Sequence, residues 1–119
     1  MEKLNKLSDK QIEKNRIKII KALRGGKYTQ IMDCVKSRLG HCFIGLAYEE
    51  LGMMKGLIHT GSREDIARML GIEDLEYLED TSRRVDMLVS MNDAGQSFNT
   101  IANSLINTEG FPNVKLEDI

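Results

Sequence analysis

Apolar positions recur at intervals of three and four along most of the chain, interrupted by glycine and by small polar residues. Ile12, Arg16, Ile19, Ile20 and Leu23 fall on one side of a helical projection, with Lys10, Lys14, Lys18 and Lys21 around the rest. Ser8 and Gln11 have the spacing of a capping box, and Gly25-Gly26 supplies a left-handed stop. The spacing predicts a first helix over 9–24. Over 27–40, Tyr28, Ile31, Met32, Val35 and Leu39 follow neither period, which reads as an extended segment or a short hairpin.

Phe43, Leu46, Ala47, Glu50, Leu51 and Met54 return to helical spacing and predict a helix over 41–53. Gly45 inside it costs about 1 kcal/mol relative to Ala, which points to the close approach of another backbone. Gly52 and Gly56 loosen the chain ahead of Leu57, Ile58 and His59, a short strand or loop. Ser62-Arg63-Glu64-Asp65 opens a two-turn helix with Ile66, Met69 and Leu70, ended by Gly71. Residues 73–91 carry Leu75, Leu78, Val85, Leu88 and Val89, as one helix or as two pieces broken near Asp80-Thr81-Ser82. Asn92-Asp93-Ala94-Gly95 reads as a turn, and Ser97 caps a last helix with Phe98, Ile101, Ala102, Leu105 and Ile106. The tail from Asn107, with Gly110 and Pro112, is expected to run loosely over the surface, as is 1–7. The fold expected is mainly α: a compact bundle of about five helices, with room for a short β element in 27–40 and near 57–60.

Length changes this picture little: 119 residues suit one domain with one hydrophobic core. An apolar fraction of 41% with 29% charged residues argues for a folded chain. No charged, apolar and small-residue leader begins the sequence, and no apolar run approaches the roughly 18 residues that span a bilayer. A cytoplasmic protein without membrane contact is the expectation. Cys34 and Cys42 then read as reduced thiols. The seven methionines read first as fillers of gaps in the core, and second as an adaptable binding face.

Charge adds an asymmetry. Residues 1–30 hold nine Lys/Arg against three acids, hence +6, and the remainder carries −7. A basic first helix can meet nucleic acid or an acidic partner. Packing of that helix on the acidic remainder of its own chain is the preferred reading.

Four kinds of chemistry follow from residue types. Residues 64–72 resemble the second helix and turn of a DNA reader, yet the following Glu73, Asp74, Glu76, Glu79 and Asp80 would repel phosphate. Ser97-Phe98-Asn99-Thr100-Ile101-Ala102 has a similar look, with no basic recognition helix after it. A thiol site is the second. Cys42 stands at an expected helix N-terminus, where free N–H groups lower a thiol pKa, with His41 beside it. His59 as base and Asn92 or Asp93 as orienter would complete a cysteine hydrolase or transferase, against the plainer reading of a small buried cysteine. Third, Cys34, His41, Cys42 and His59 are zinc-type ligands without CxxC or HxxxH spacing, so no metal site is expected. Fourth, Gly25-Gly26-Lys27 lacks the spacing of a phosphate loop, and no cofactor is expected. Asn92 and Asp93 read by default as local caps of the backbone. Tyr28 and Gln30 either pin the irregular segment, the preferred role, or line a cleft beside Cys42.

Three stretches taken together resemble a set of small uncharacterised proteins of phages and bacteria. Leu23-Arg24-Gly25-Gly26-Lys27-Tyr28-Thr29-Gln30 matches their leucine-arginine-x-glycine-x-tyrosine-x-glutamine segment. His41-Cys42-Phe43-Ile44-Gly45 stands where they carry a cysteine pair followed by leucine and glycine. Met91-Asn92-Asp93 and Ser97-Phe98-Asn99-Thr100-Ile101-Ala102 follow in the same order, over roughly 17–106. The first cysteine of the pair is replaced by His41, and the leucine before the Asn-Asp pair by Met91. The resemblance carries no activity. It implies a phage setting, in which a non-enzymatic protein binds a host protein or blunts a defence system. Tyr28, Gln30, His41, Cys42, Asn92 and Asp93 are the binding residues expected on that basis.

Overall fold

The computed structural model describes residues 7–73 and 82–119. Helix α1 spans Asp9–Arg24 and begins with a complete capping box: the Gln11 N–H donates to Ser8 Oγ at 3.2 Å, and the Ser8 N–H donates to Gln11 Oε1 at 3.1 Å. Two short antiparallel hairpins flank the second helix. Strands β1 (Lys36–Ser37) and β2 (Gly40–His41) precede α2 (Phe43–Glu50), and β3 (Met54–Lys55) and β4 (Ile58–His59) follow it. Helices α3 (Arg63–Leu70), α4 (Arg83–Asp93) and α5 (Phe98–Glu109) complete the bundle, with a 3₁₀ turn over Leu116–Asp118. The fold is mainly α, with five α-helices among the described residues, as the periodicity predicts.

Helix α2 is the centre. Six successive residues, Phe43, Ile44, Gly45, Leu46, Ala47 and Tyr48, are buried, the pattern of a helix covered on every side. Helices α1, α3 and α4 pack on it, and α1 also lies along α5. Ile19, Ile20, Ile66, Leu70, Ile101 and Leu105 have no exposed surface, each contributing about 1.5–3 kcal/mol of burial. The remaining side of α2 is covered by backbone. A Cβ on Gly45 would lie 1.8 Å from the Val35 carbonyl oxygen, so the 27–41 segment sits against a helix face that only glycine can offer.

The β element expected in 27–40 is the first hairpin, with a third segment beside it. The Ile31 N–H donates to the His41 carbonyl at 3.0 Å, and the His41 N–H donates to the Thr29 carbonyl at 2.9 Å. His41 therefore belongs to a strand, and α2 begins at Phe43, two residues later than the spacing suggests. Gly40 allows this pairing, since a Cβ there would meet the Thr29 oxygen at 2.1 Å. In the second hairpin Gly56 takes a positive φ of 58° at the turn, which suits a two-residue connection.

Helix α3 also opens with a capping box, between Ser62 and Asp65, and closes on left-handed Gly71. Its last carbonyls are satisfied from α1. Asn15 Nδ2 donates to the Met69 oxygen at 2.9 Å, and Arg16 donates to the Leu70 oxygen at 2.8 Å and the Gly71 oxygen at 3.1 Å. The same guanidinium lies 4.7 Å over the Phe111 ring. The basic helix thus packs on the remainder of its own chain, and among the described residues it does so through carbonyl oxygens at a helix C-terminus.

Two boundaries differ further from expectation. Asn92 and Asp93 form the last turn of α4, and only Ala94-Gly95 turn the chain. The tail is docked as far as Val114, because Phe111 is buried in the core and Arg24 donates to Asn113 Oδ1 and the Val114 oxygen at 2.6 and 2.8 Å. The expected helix start over 73–81 lies outside the described residues beyond Glu73.

Gly45→Ala is expected to lower the unfolding free energy by about 2 kcal/mol or more in urea melts. Ordinary helix propensity alone would raise it by about 1 kcal/mol, so a stabilised variant would contradict the backbone contact with Val35.

Candidate functional site

Cys42 is the N-cap of α2, in extended conformation, and its side chain makes no capping hydrogen bond. It is buried. Burial pushes its thiol above the ordinary value, and the N–H groups of Gly45 and Ile44 offset this only in part. The residues proposed to assist it point elsewhere. His59 is exposed and stacks on the Tyr48 ring at 4.2 Å, and Asp93 Oδ1 accepts the Asp33 N–H at 2.9 Å. Among the described residues no hydrogen bond joins Cys42 to either. Cys34 is exposed, its Sγ donating to the Lys36 oxygen at 3.3 Å, so the two thiols have separate surroundings.

Two of the expected binding residues, Gln30 and Asn92, converge on a hydrogen-bonded network beside Cys42. Asn92 is fully buried. Its Oδ1 accepts the Phe43 N–H and one Gln30 amide proton, both at 3.0 Å, and its Nδ2 donates to the Ile31 oxygen at 2.8 Å. Gln30 Nε2 also donates to the Gln96 oxygen at 2.7 Å, and Gln30 Oε1 accepts the Phe98 N–H at 2.9 Å. Phe43 and Phe98 are the first residues of α2 and α5, so the two side-chain amides serve helix N-termini distant in sequence. Asn92 and Asp93 accordingly bond across the fold, where local caps were expected. Gln30 pins the irregular segment. Asp33 takes a left-handed φ of 61°, held there by Asp93.

On the outer side of that segment lies a second cluster. His41 Nε2 is 3.1 Å from Glu49 Oε1, which also receives Lys36 Nζ at 2.8 Å. The Tyr28 hydroxyl donates to Glu50, which pairs with Lys27 at 3.1 Å, and the Tyr28 and His41 rings meet edge to face at 4.7 Å. Lys36 and His41 hold the Glu49 carboxyl below its usual range. Burial and the Glu50 carboxylate raise the Tyr28 hydroxyl well above its own, keeping it a proton donor.

This cluster floors a groove of about 470 Å³ between the hairpins, with Lys27, Lys36 and Arg38 among its walls and Leu39 and Leu57 at the two turns. Leu39, Leu57 and neighbouring Ile58 are 78%, 57% and 72% exposed. The sequence reading missed Lys36, Arg38, Glu49, Glu50 and the three apolar tips. The adjacent acids at the end of an otherwise apolar helix were the available signal, because a carboxylate there opposes the helix dipole and needs a cation. The methionines divide: Met53, Met54 and Met91 pack partly on the core, while Met32 and Met87 are more than half exposed.

Among the described residues no three His, Cys, Asp or Glu side chains group as metal ligands, and no helix is long and apolar enough to cross a membrane. The site and fold define a helical bundle with a paired-amide clamp and a groove between two hairpins. Comparison of the chain with protein-family models, with curated proteins and with solved structures finds no match.

Asn92→Ala strands the Phe43 N–H and the Ile31 carbonyl, and is expected to cost about 3 kcal/mol in denaturant unfolding. Asn92→Asp keeps the acceptor but loses the donor, and should be less damaging at acid pH, where a protonated carboxyl can donate to Ile31. An Asn92→Ala cost within about 1 kcal/mol of zero would show that water takes over those bonds. In the native state Cys34 should react with iodoacetamide at least about tenfold faster than Cys42, since exposure and thiolate fraction set the rate. Faster labelling of Cys42 near neutral pH would restore it as a nucleophile.

Proposed function

We propose that this chain is a non-enzymatic binding protein that acts by covering a surface of another protein, a host protein in the phage setting that the family resemblance implies. The observation that carries the reading is the exposure of Leu39, Leu57 and Ile58 on two hairpin turns beside one groove. Large apolar side chains grouped at the surface mark contact sites in small proteins. The first hairpin is tied to the core by the amides of Gln30 and Asn92, and the second leads directly out of α2. The alternative of a hydrolase or transferase at Cys42 draws no support from a buried, raised-pKa thiol without a bonded base.

A second reading has one observation in its favour. Lys10, Lys14, Lys18 and Lys21 are exposed along α1, while Arg16 and Arg24 are occupied by internal bonds. Such a stripe fits a nucleic-acid backbone, with affinity falling steeply as salt rises.

The test is purification of the tagged chain from host cells, with wild type expected to retain one host protein in stoichiometric amount. Leu39→Asp and Ile58→Asp should release it without altering the circular dichroism spectrum. The reading fails if no complex forms while the purified chain turns over a substrate, or if it retains nucleic acid at low salt and both tip variants bind as wild type does.

A further inference from the structure

We infer that the groove between the two hairpins takes an acidic segment of the partner protein, one in which carboxylate side chains are interspersed with large apolar ones. This rests on the binding-protein reading and specifies the chemistry of what is bound. The charged side chains lining the groove are all cationic, Lys27, Lys36 and Arg38, while Glu49 and Glu50 reach Lys36 and Lys27 from the helix beneath. Arg38 is exposed at the turn and has no ion-pair partner among the described residues. Its planar guanidinium suits two-point pairing with a carboxylate. Lys55, on the strand that pairs with Ile58, is also exposed and adds positive charge beside the second turn.

The apolar tips decide what kind of anion fits. A free anion or a nucleic-acid backbone would satisfy the cations and leave Leu39, Leu57 and Ile58 in water. A protein segment with carboxylates and leucine-like side chains engages both, since its charges reach the groove walls while its apolar groups cover the turns. Cation pairing at an exposed rim contributes mainly orientation and association rate, and burial of the tips contributes most of the affinity.

The experiment uses the 119-residue chain and a fluorescent glutamate-rich peptide carrying leucines, with binding read by anisotropy. Parallel probes are the same peptide with serine for leucine, the same peptide with glutamine for glutamate, and a single-stranded oligonucleotide. The parent peptide should bind at least about tenfold tighter than each of the other three probes, a difference of about 1.4 kcal/mol. Arg38→Glu and Leu57→Ser should each weaken it about tenfold or more, and Lys115→Glu, exposed in the tail and outside the groove lining, should leave it unchanged. Absence of peptide binding, equal binding of the oligonucleotide, or indifference to Arg38→Glu would overturn the assignment. If the peptide fails while a host protein is still lost from Leu39→Asp, the binding-protein reading stands and only the acidic chemistry falls.

Discussion

The contact between the side-chain amides of Gln30 and Asn92 holds the rest of the structure in place. Helix α2 runs through the middle of the bundle and has no side-chain cap of its own, because Cys42 occupies the N-cap position. An amide hydrogen left bare there would cost about 1–3 kcal/mol. Asn92 supplies the missing oxygen from the end of α4, and Gln30 supplies another to the start of α5. Each amide also uses its NH₂ group, on the carbonyls of Ile31 and Gln96 and on the other amide. A fully buried asparagine is tolerated in an apolar core because its oxygen and its nitrogen both find partners.

From that clamp the outer surface follows. Between Gln30 and His41 the chain lies against the bare face of α2 at Gly45. That course places Tyr28, Lys36 and His41 over the C-terminal half of α2, where Glu49 and Glu50 face the negative end of the helix dipole. Lys36 and Lys27 offset the two carboxylate charges, and the Tyr28 hydroxyl and His41 ring add hydrogen bonds to an arrangement that is unfavourable in isolation. The polar cluster is thus explained by the needs of α2, and the Tyr28 and His41 side chains need no catalytic role to account for their positions.

Much of this fold is legible in the sequence, since three of its helices begin with serine caps and two end on left-handed glycines. Local signals of this kind reach only a few residues, and the errors lie where distant groups decide. Nothing near Asn92 announces that its partners are Ile31 and Phe43, some sixty and fifty positions away, so a helix end reads as a turn with local caps. Arg16 on an apolar stripe was visible, but its partners are carbonyl oxygens of α3, and carbonyls have no sequence signature. Phe111, between Gly110 and Pro112, reads as part of a loose tail because the side chain that covers it comes from α1. Gly45 is the exception: a glycine inside a strongly apolar helix signals a backbone contact, although not which backbone.

The same geometry supports the proposed binding role over the alternative of chemistry at Cys42. A nucleophile needs exposure, a depressed pKa and a base, whereas the helix N-terminus that should activate Cys42 is covered by its own hairpin and served by Asn92. The exposed apolar groups sit instead on turns of only two residues, anchored at both ends. Short turns lose little conformational freedom when a partner covers them, and pre-organisation of that kind raises affinity without enlarging the interface. The buried amide network therefore has a consequence at the surface, because the segment leading to the hairpin that carries Arg38 and Leu39 and the N-termini of α2 and α5 rest on the same two amides.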